Sequence, residues 1–177
     1  MNIFIRQERP EDYEKTEKLV REAFLKEERS DQTEHLLVRR IRQSEAFIPE
    51  LSLVAFDSEK EMTGHILLSE ITITGEDKTT ASLALAPMSV LPAHQKKGIG
   101  SRLIHEALEK AKELGWHSVI VLGHKDYYPK FGFRQAQLWN IRAPFDVPEE
   151  VFMALELTEH ALGNAQGTVH YSSAFSE

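Results

Sequence analysis

The segment Val90–Gly115, "VLPAHQKKGIGSRLIHEALEKAKELG", constrains this chain more than any other. Ile99, Leu103, Ile104, Ala107, Leu108, Ala111 and Leu114 recur at spacings of one, three and four. That spacing places them on one face of a long amphipathic helix, with Gly115 as its stop. An apolar run, Thr79–Val90, precedes the helix, and a run rich in β-branched residues, His117–Gly123, follows it. Strand, helix and buried strand in succession point to a sheet covered by that helix. At the helix mouth stand Lys96 and Lys97, then Gly98 and Gly100. A helix start carries four unpaired N–H groups and roughly half a positive charge. Glycines there let a ligand reach the backbone with no Cβ in the way. Gln95 to Ser101 is therefore a candidate anion site, although close packing of the glycines beside solvated lysines explains the same residues without a ligand. Two named phosphate loops fail on spacing: the lysines come before the glycines, and the third position after Gly100 is Leu103 rather than a glycine.

Composition narrows the class. With 177 residues, 41% of them apolar and 28% charged, the chain is globular and most simply a single domain over 1–177. The absence of cysteine excludes a disulfide framework, thiolate metal sites and a cysteine nucleophile, and it fits a reducing cytoplasm. A net charge of -7 argues against a general nucleic-acid binder and favours cationic acceptors. The N-terminus turns charged too soon for a signal peptide, and no apolar run is long enough to span a membrane.

Along the chain, Met1–Gln7 alternates as a first strand, and "RPEDYEKTEKLVREAF" has the stripe of a helix with Pro10 in its first turn. A second helix is expected from Gln32 to about Gln43, with Asp31 as N-cap and Glu34 closing a capping box. Leu51–Phe56 and Thr63–Ile73 form a hairpin across "DSEKE". Pro87, inside the strand Thr79–Val90, removes a ladder donor and implies a bulge or local break in pairing. "DYYPKFGF" is a helical turn or loop. "QAQLWNI" and "VFMALEL" are expected as two further strands, and "GTVHYSSAF" as a last short one. The core is expected over about 1–157, with a C-terminal extension over about 158–177. The order describes a mixed α/β chain around one sheet.

Gln95-x-x-Gly98-x-Gly100, between a strand ending Val90-x-Pro92 and a long helix, resembles the phosphate signature of the GNAT superfamily of N-acyltransferases. "YYPKFGF", with Tyr128 four residues before Gly132-Phe133, is similar to the family's second signature. The resemblance covers the chain from its first strand to about Leu157. It implies the GNAT fold: a mixed, mostly antiparallel sheet with a splayed central strand pair and helices on both faces. It implies acetyl-CoA as co-substrate, with main-chain groups of Met88, Ser89 and Val90 on the pantetheine arm. Gln95, Lys96, Lys97, Gly98, Ile99, Gly100 and Ser101 would then form the pyrophosphate loop. It further implies transfer of acetyl to an amine with no covalent enzyme intermediate, in keeping with the absent cysteine.

Amine acylation poses two proton problems. An alkyl amine with a pKa of about 10.4 must lose a proton before it attacks, and the departing thiolate must be stabilised. Tyr128 is the expected acid; an aromatic core cluster with Tyr127, Phe131 and Phe133 is the plain explanation of the same residues. Many family members carry a glutamate on the strand before this loop, and "SVIVLG" has none. Glu70 acting through a water and His124 just past the strand end are the candidate bases, each equally readable as surface. No histidine spacing suggests a metal, and none is expected. The acceptor amine is open, with "LKEERSDQ" and "WNIRAPFDVP" as the segments expected to shape its site. No membrane partner and no nucleic acid are expected, and the late strands and tail are candidates for pairing in a homodimer. The competing functions are a non-catalytic acyl-CoA-binding module on the same fold and a phosphate-ligand domain unrelated to CoA.

Overall fold

The alternation of apolar residues through the middle of the chain becomes a long antiparallel pair, around which everything else is arranged. A computed structural model describes residues 2–28 and 30–176, so Met1, where the first strand was expected to begin, lies outside it. The elements are β1 (Phe4–Gln7), α1 (Tyr13–Phe24), α2 (Glu34–Arg42), β2 (Ser52–Phe56), β3 (Met62–Thr74), β4 (Thr79–Val90), α3 (Ile99–Glu113), β5 (Ser118–Leu122), β6 (Arg134–Gln135), β7 (Ile141–Arg142), β8 (Phe152–Glu156) and β9 (Gly167–His170). The sheet runs β1-β2-β3-β4-β5-β8-β6, with β9 beside the end of β3 and β7 beside β9. Among the described residues, only β4–β5 and β7–β9 are parallel.

Strand alternation sorts the core. Ile66, Leu68, Leu83 and Leu85 turn toward α3 and meet Ile99, Leu103, Ile104, Ala107 and Ala111. Leu67 turns the other way, against Leu19 and Val20 of α1 and Val38 and Ile41 of α2. Each such fully buried aliphatic side chain contributes about 1.5–3 kcal/mol, which holds helices on both faces of the sheet.

Two departures from regular pairing shape the centre. Ile66 stands opposite Met88 and Leu68 opposite Leu85, so Leu67 faces two residues, Ala86 and Pro87, in a bulge. The extra residue puts Met88 and Val90 on the α3 side with Leu83 and Leu85. On its other edge β4 pairs with β5 only at Leu83–Val119 and Ala84–Ile120, although both strands run further. The central pair is splayed.

Three expectations need correction. α2 starts at Glu34, not Gln32, because Gln32 adopts a left-handed φ of 65° that cannot continue into a helix. Thr33 takes the N-cap position; Asp31 accepts from the Thr33 N–H and hydroxyl, and Glu34 accepts from Ser30 instead of closing a box. The first helix is a 3-10 turn over Pro10–Asp12 that leads into α1 at Tyr13. "QAQLWNI" is not one strand: Ala136–Trp139 is a 3-10 turn, and Asn140, at φ 56°, reverses the chain between β6 and β7. Strand alternation would put Ala136 and Leu138 on one side, yet Ala136 is buried and Leu138 is 60% exposed. The last short strand expected in "GTVHYSSAF" is β9, which pairs with β3 and β7, and Arg40 of α2 donates to the Ala174 carbonyl.

Candidate active site

Where β4 leaves β5, its main chain is free on one side. The Leu91 N–H donates to the Thr63 carbonyl at 3.0 Å, so by ladder alternation Ser89 is the next residue bonded to β3. Met88 and Val90 therefore turn their N–H and carbonyl groups toward the gap. The Gln95 side-chain amide marks that direction, donating to the Val90 carbonyl at 3.1 Å. Gln95 thus folds back onto the strand end. Ser89 turns its side chain to the face away from α3, where its hydroxyl is buried with no partner among the described residues.

At the mouth of α3, Gly98 is the N-cap with φ 83°, and a Cβ built on it would meet nothing within 4 Å. Lys96, also left-handed at φ 63°, and Lys97 are exposed beside it. Gly100 differs: a Cβ there would lie 3.1 Å from the Tyr127 hydroxyl and 3.4 Å from the Met88 Cε. Ile99 is buried in the core and anchors the helix start, and Ser101 is half-buried. The open space at Gly98, the free N–H groups and the outward main chain of Met88 and Val90 suit a phosphorylated, amide-bearing ligand.

The two tyrosines after β5 pack edge-on, 5.2 Å between ring centroids, and meet different glycines. Their N–H groups both donate to the His124 carbonyl, which starts the turn, and Gly132 at φ 99° ends it. Tyr128 lies over Gly123, where the Cβ of any other residue would run into its ring, and packs edge-on against Tyr127 and Phe133. Burial, helped by the neighbouring Tyr127, pushes the Tyr128 hydroxyl up to about 12. Tyr127 is half-buried and brings its hydroxyl to Gly100 in the first turn of α3, with the Lys130 ammonium 4.4 Å above its ring.

The candidate bases are not brought into this group. Glu70 is exposed and sits opposite Leu83, where β4 is still paired with β5, short of the splay. The His124 side chain is exposed, and its contribution is the carbonyl that holds the turn. A buried polar chain that the sequence reading missed lies on the α1–α2 face. The Ser52 hydroxyl donates to Glu8 at 2.7 Å and sits 3.0 Å from His65 Nε2, and Arg42 donates to Glu8 and Glu17. Burial, with Arg42 adding and Glu8 opposing, pushes His65 down to about 4, so it is neutral at pH 7. Histidine inside the apolar run "GHILL" was the available signal. Among the described residues no group of three or more His, Cys, Asp or Glu is placed to hold a metal ion.

A cavity of about 360 Å³ opens beside the end of β5. Its walls include Ile141, Val147 and Phe152, and its rim carries Arg142, Asp146 and Glu149. Phe152 pairs with Leu122, and the Gly123 N–H donates to the Val151 carbonyl, so the cavity adjoins the residue on which Tyr128 rests. Phe152 shares its face with Ala84 and Ile120, the face away from α3.

A family model for the acetyltransferase (GNAT) domain matches residues 50–135. An uncharacterized N-acetyltransferase of Escherichia coli K12, YhbS, is 30% identical over 173 residues, 98% of each chain. The chain belongs to the GNAT family of acetyltransferases. A second Escherichia coli relative, the uncharacterized N-acetyltransferase YjhQ, is 39% identical over 115 residues, 64% of this chain and 63% of that one. The crystal structure of YhbS in complex with CoA superposes at a TM-score of 0.88 with 28% identity, covering 100% of this chain and 93% of that chain. A GNAT acetyltransferase from Brucella melitensis in complex with acetyl-CoA gives 0.80 with 33% identity, covering 98% of each. The GNAT family match ends at Gln135, and the residues lining the cavity all lie beyond it. No helix among the described residues is long and apolar enough to cross a membrane.

Proposed function

We propose that this GNAT acyltransferase moves the acetyl group of acetyl-CoA onto a compact primary amine by direct attack, the amine sitting in the cavity beside Phe152. The observation that carries the reading is the splay. β4 and β5 part after Ala84 and Ile120, leaving the main-chain groups of Met88 and the Val90 N–H open to the gap between the Gly98 mouth and Tyr128. A thioester in that gap is open from the opposite face, where the cavity lies. Asp146 and Glu149 on the rim favour an ammonium, and the apolar wall favours a carbon body beyond it.

The proton balance is simple. The ammonium gives one proton to solvent, and the neutral amine then attacks the carbonyl. The sulfur departs and the second amine proton is lost, so amide, thiol and one free proton result. Tyr128, at about 12, stays protonated across the neutral range. Complete proton transfer to the departing thiolate, whose thiol has a pKa of about 8.5, would run uphill by roughly 5 kcal/mol. Its contribution is a hydrogen bond that stabilises the sulfur as negative charge builds. With Glu70 and His124 turned to solvent, loss of the ammonium proton falls to water and to desolvation in the cavity.

Thiol release from acetyl-CoA with a panel of primary amines tests the proposal. Tyr128→Phe lowers kcat at least tenfold while CoA still binds. CoA binding with no turnover on any amine would favour the non-catalytic module, the reading supported by the placement of Glu70 and His124.

A further inference from the structure

We propose that the Tyr127 hydroxyl is a ligand-binding group: it donates a hydrogen bond to the pyrophosphate of CoA, and Gly100 is glycine to leave it room. Tyr127 belongs to the turn after β5, yet its hydroxyl ends against the first turn of α3 and beside Met88 of β4. Its side chain therefore crosses between the two arms of the splayed sheet on the α3 side. The paired glycines thus serve different ends. Gly98 faces open space and lets a ligand approach, while at Gly100 the room that a Cβ would need is already taken by a phenol oxygen.

The surroundings select the ligand atom. The hydroxyl meets Gly100 in the first turn of α3, a helix whose start has no side-chain cap, with exposed Lys96 and Lys97 nearby in the chain. Lys130 sits over the same ring, 4.4 Å from its centroid. A phenol among donors and cations is matched by an oxyanion, and a hydrogen bond from it to a phosphate oxygen is charge-assisted. Tyr128, edge-on to Tyr127 in the same cluster, lies over Gly123 instead of Gly100. The tyrosine pair thus divides the work, with Tyr127 serving affinity for the carrier and Tyr128 the departing sulfur.

The proposal rests on CoA as ligand and not on the acceptor, so binding measurements test it whether or not an amine substrate is found. Calorimetric titration of CoA into Tyr127→Phe, which keeps the ring and its packing, should give a Kd raised about ten- to a hundredfold. Titration of pantetheine, which has no pyrophosphate, should give the same Kd for both proteins. Gly100→Ala should also weaken CoA, because the new methyl displaces the hydroxyl. In a Tyr127→Phe background most of that loss should vanish, as two residues acting through one contact are not additive. A CoA Kd for Tyr127→Phe within twofold of the parent protein would overturn the proposal. So would an equal effect on pantetheine, or a Gly100→Ala loss of the same size in both backgrounds.

Discussion

Arg42→Met removes the centre of the ion network beneath α2. The guanidinium donates to Glu8 Oε2 at 2.6 Å and Glu17 Oε2 at 2.8 Å, and it stacks 3.9 Å above the Tyr13 ring. Its side chain is 6% exposed and that of Glu8 is 0% exposed, so little water can replace the lost partner. Breaking one side of such a buried pair costs about 3–5 kcal/mol, because the remaining charge stays behind uncompensated. For a chain of this length that is a fall of roughly 6–20 °C in Tm. Scanning calorimetry and urea unfolding, read together, give the value. Adding Glu8→Gln removes the stranded charge and keeps an oxygen to accept from Ser52, so the double variant should recover much of the loss. A single variant less than 1 kcal/mol below the parent protein, or a double variant no better than the single, would refute the reasoning.

Three other outcomes are expected. His65 is held at about 4, below its ordinary 6.5, so the unfolded chain binds the extra proton between those values. Stability should fall by about 3 kcal/mol as pH drops from about 6.5 to about 4, and melting curves of His65→Gln should lack that component. Gly123→Ala should drive the Tyr128 ring from its place and lower kcat more than it weakens CoA binding, as steady-state kinetics beside titration would show. Phe145→Ala and Asp146→Asn, at the cavity, should raise KM for the amine several-fold and leave CoA affinity unchanged, and altered CoA affinity would place the acceptor elsewhere.

Periodicity made the main elements legible. The α3 stripe, the β2–β3 hairpin and the interruption at Pro87 could all be read from residue types, because each depends on near neighbours in the chain. What depended on register could not. Alternation places Glu70 on the same face as Ile66 and Leu68, but nothing local tells that the strand has by then run out from under its cover. Glu8, Ser52 and His65 are far apart in sequence and meet only because β1, β2 and β3 align at one end. Gly98 and Gly100 were visible as a pair, yet their different duties follow from Tyr127, a residue beyond the next strand. "QAQLWNI" misled because β propensity ignores a left-handed asparagine.

The bulge at Leu67 also makes one unusual deletion informative. Ala86 and Pro87 together occupy a single place in the ladder, so removing Ala86 leaves Leu85, Met88 and Val90 facing as they do now. No side chain would change sides, but β4 would lose its bend and could run on along β5, zipping shut the main-chain groups now free. A single missing residue would turn a ligand-accepting gap into ordinary sheet, with every core contact named above still available.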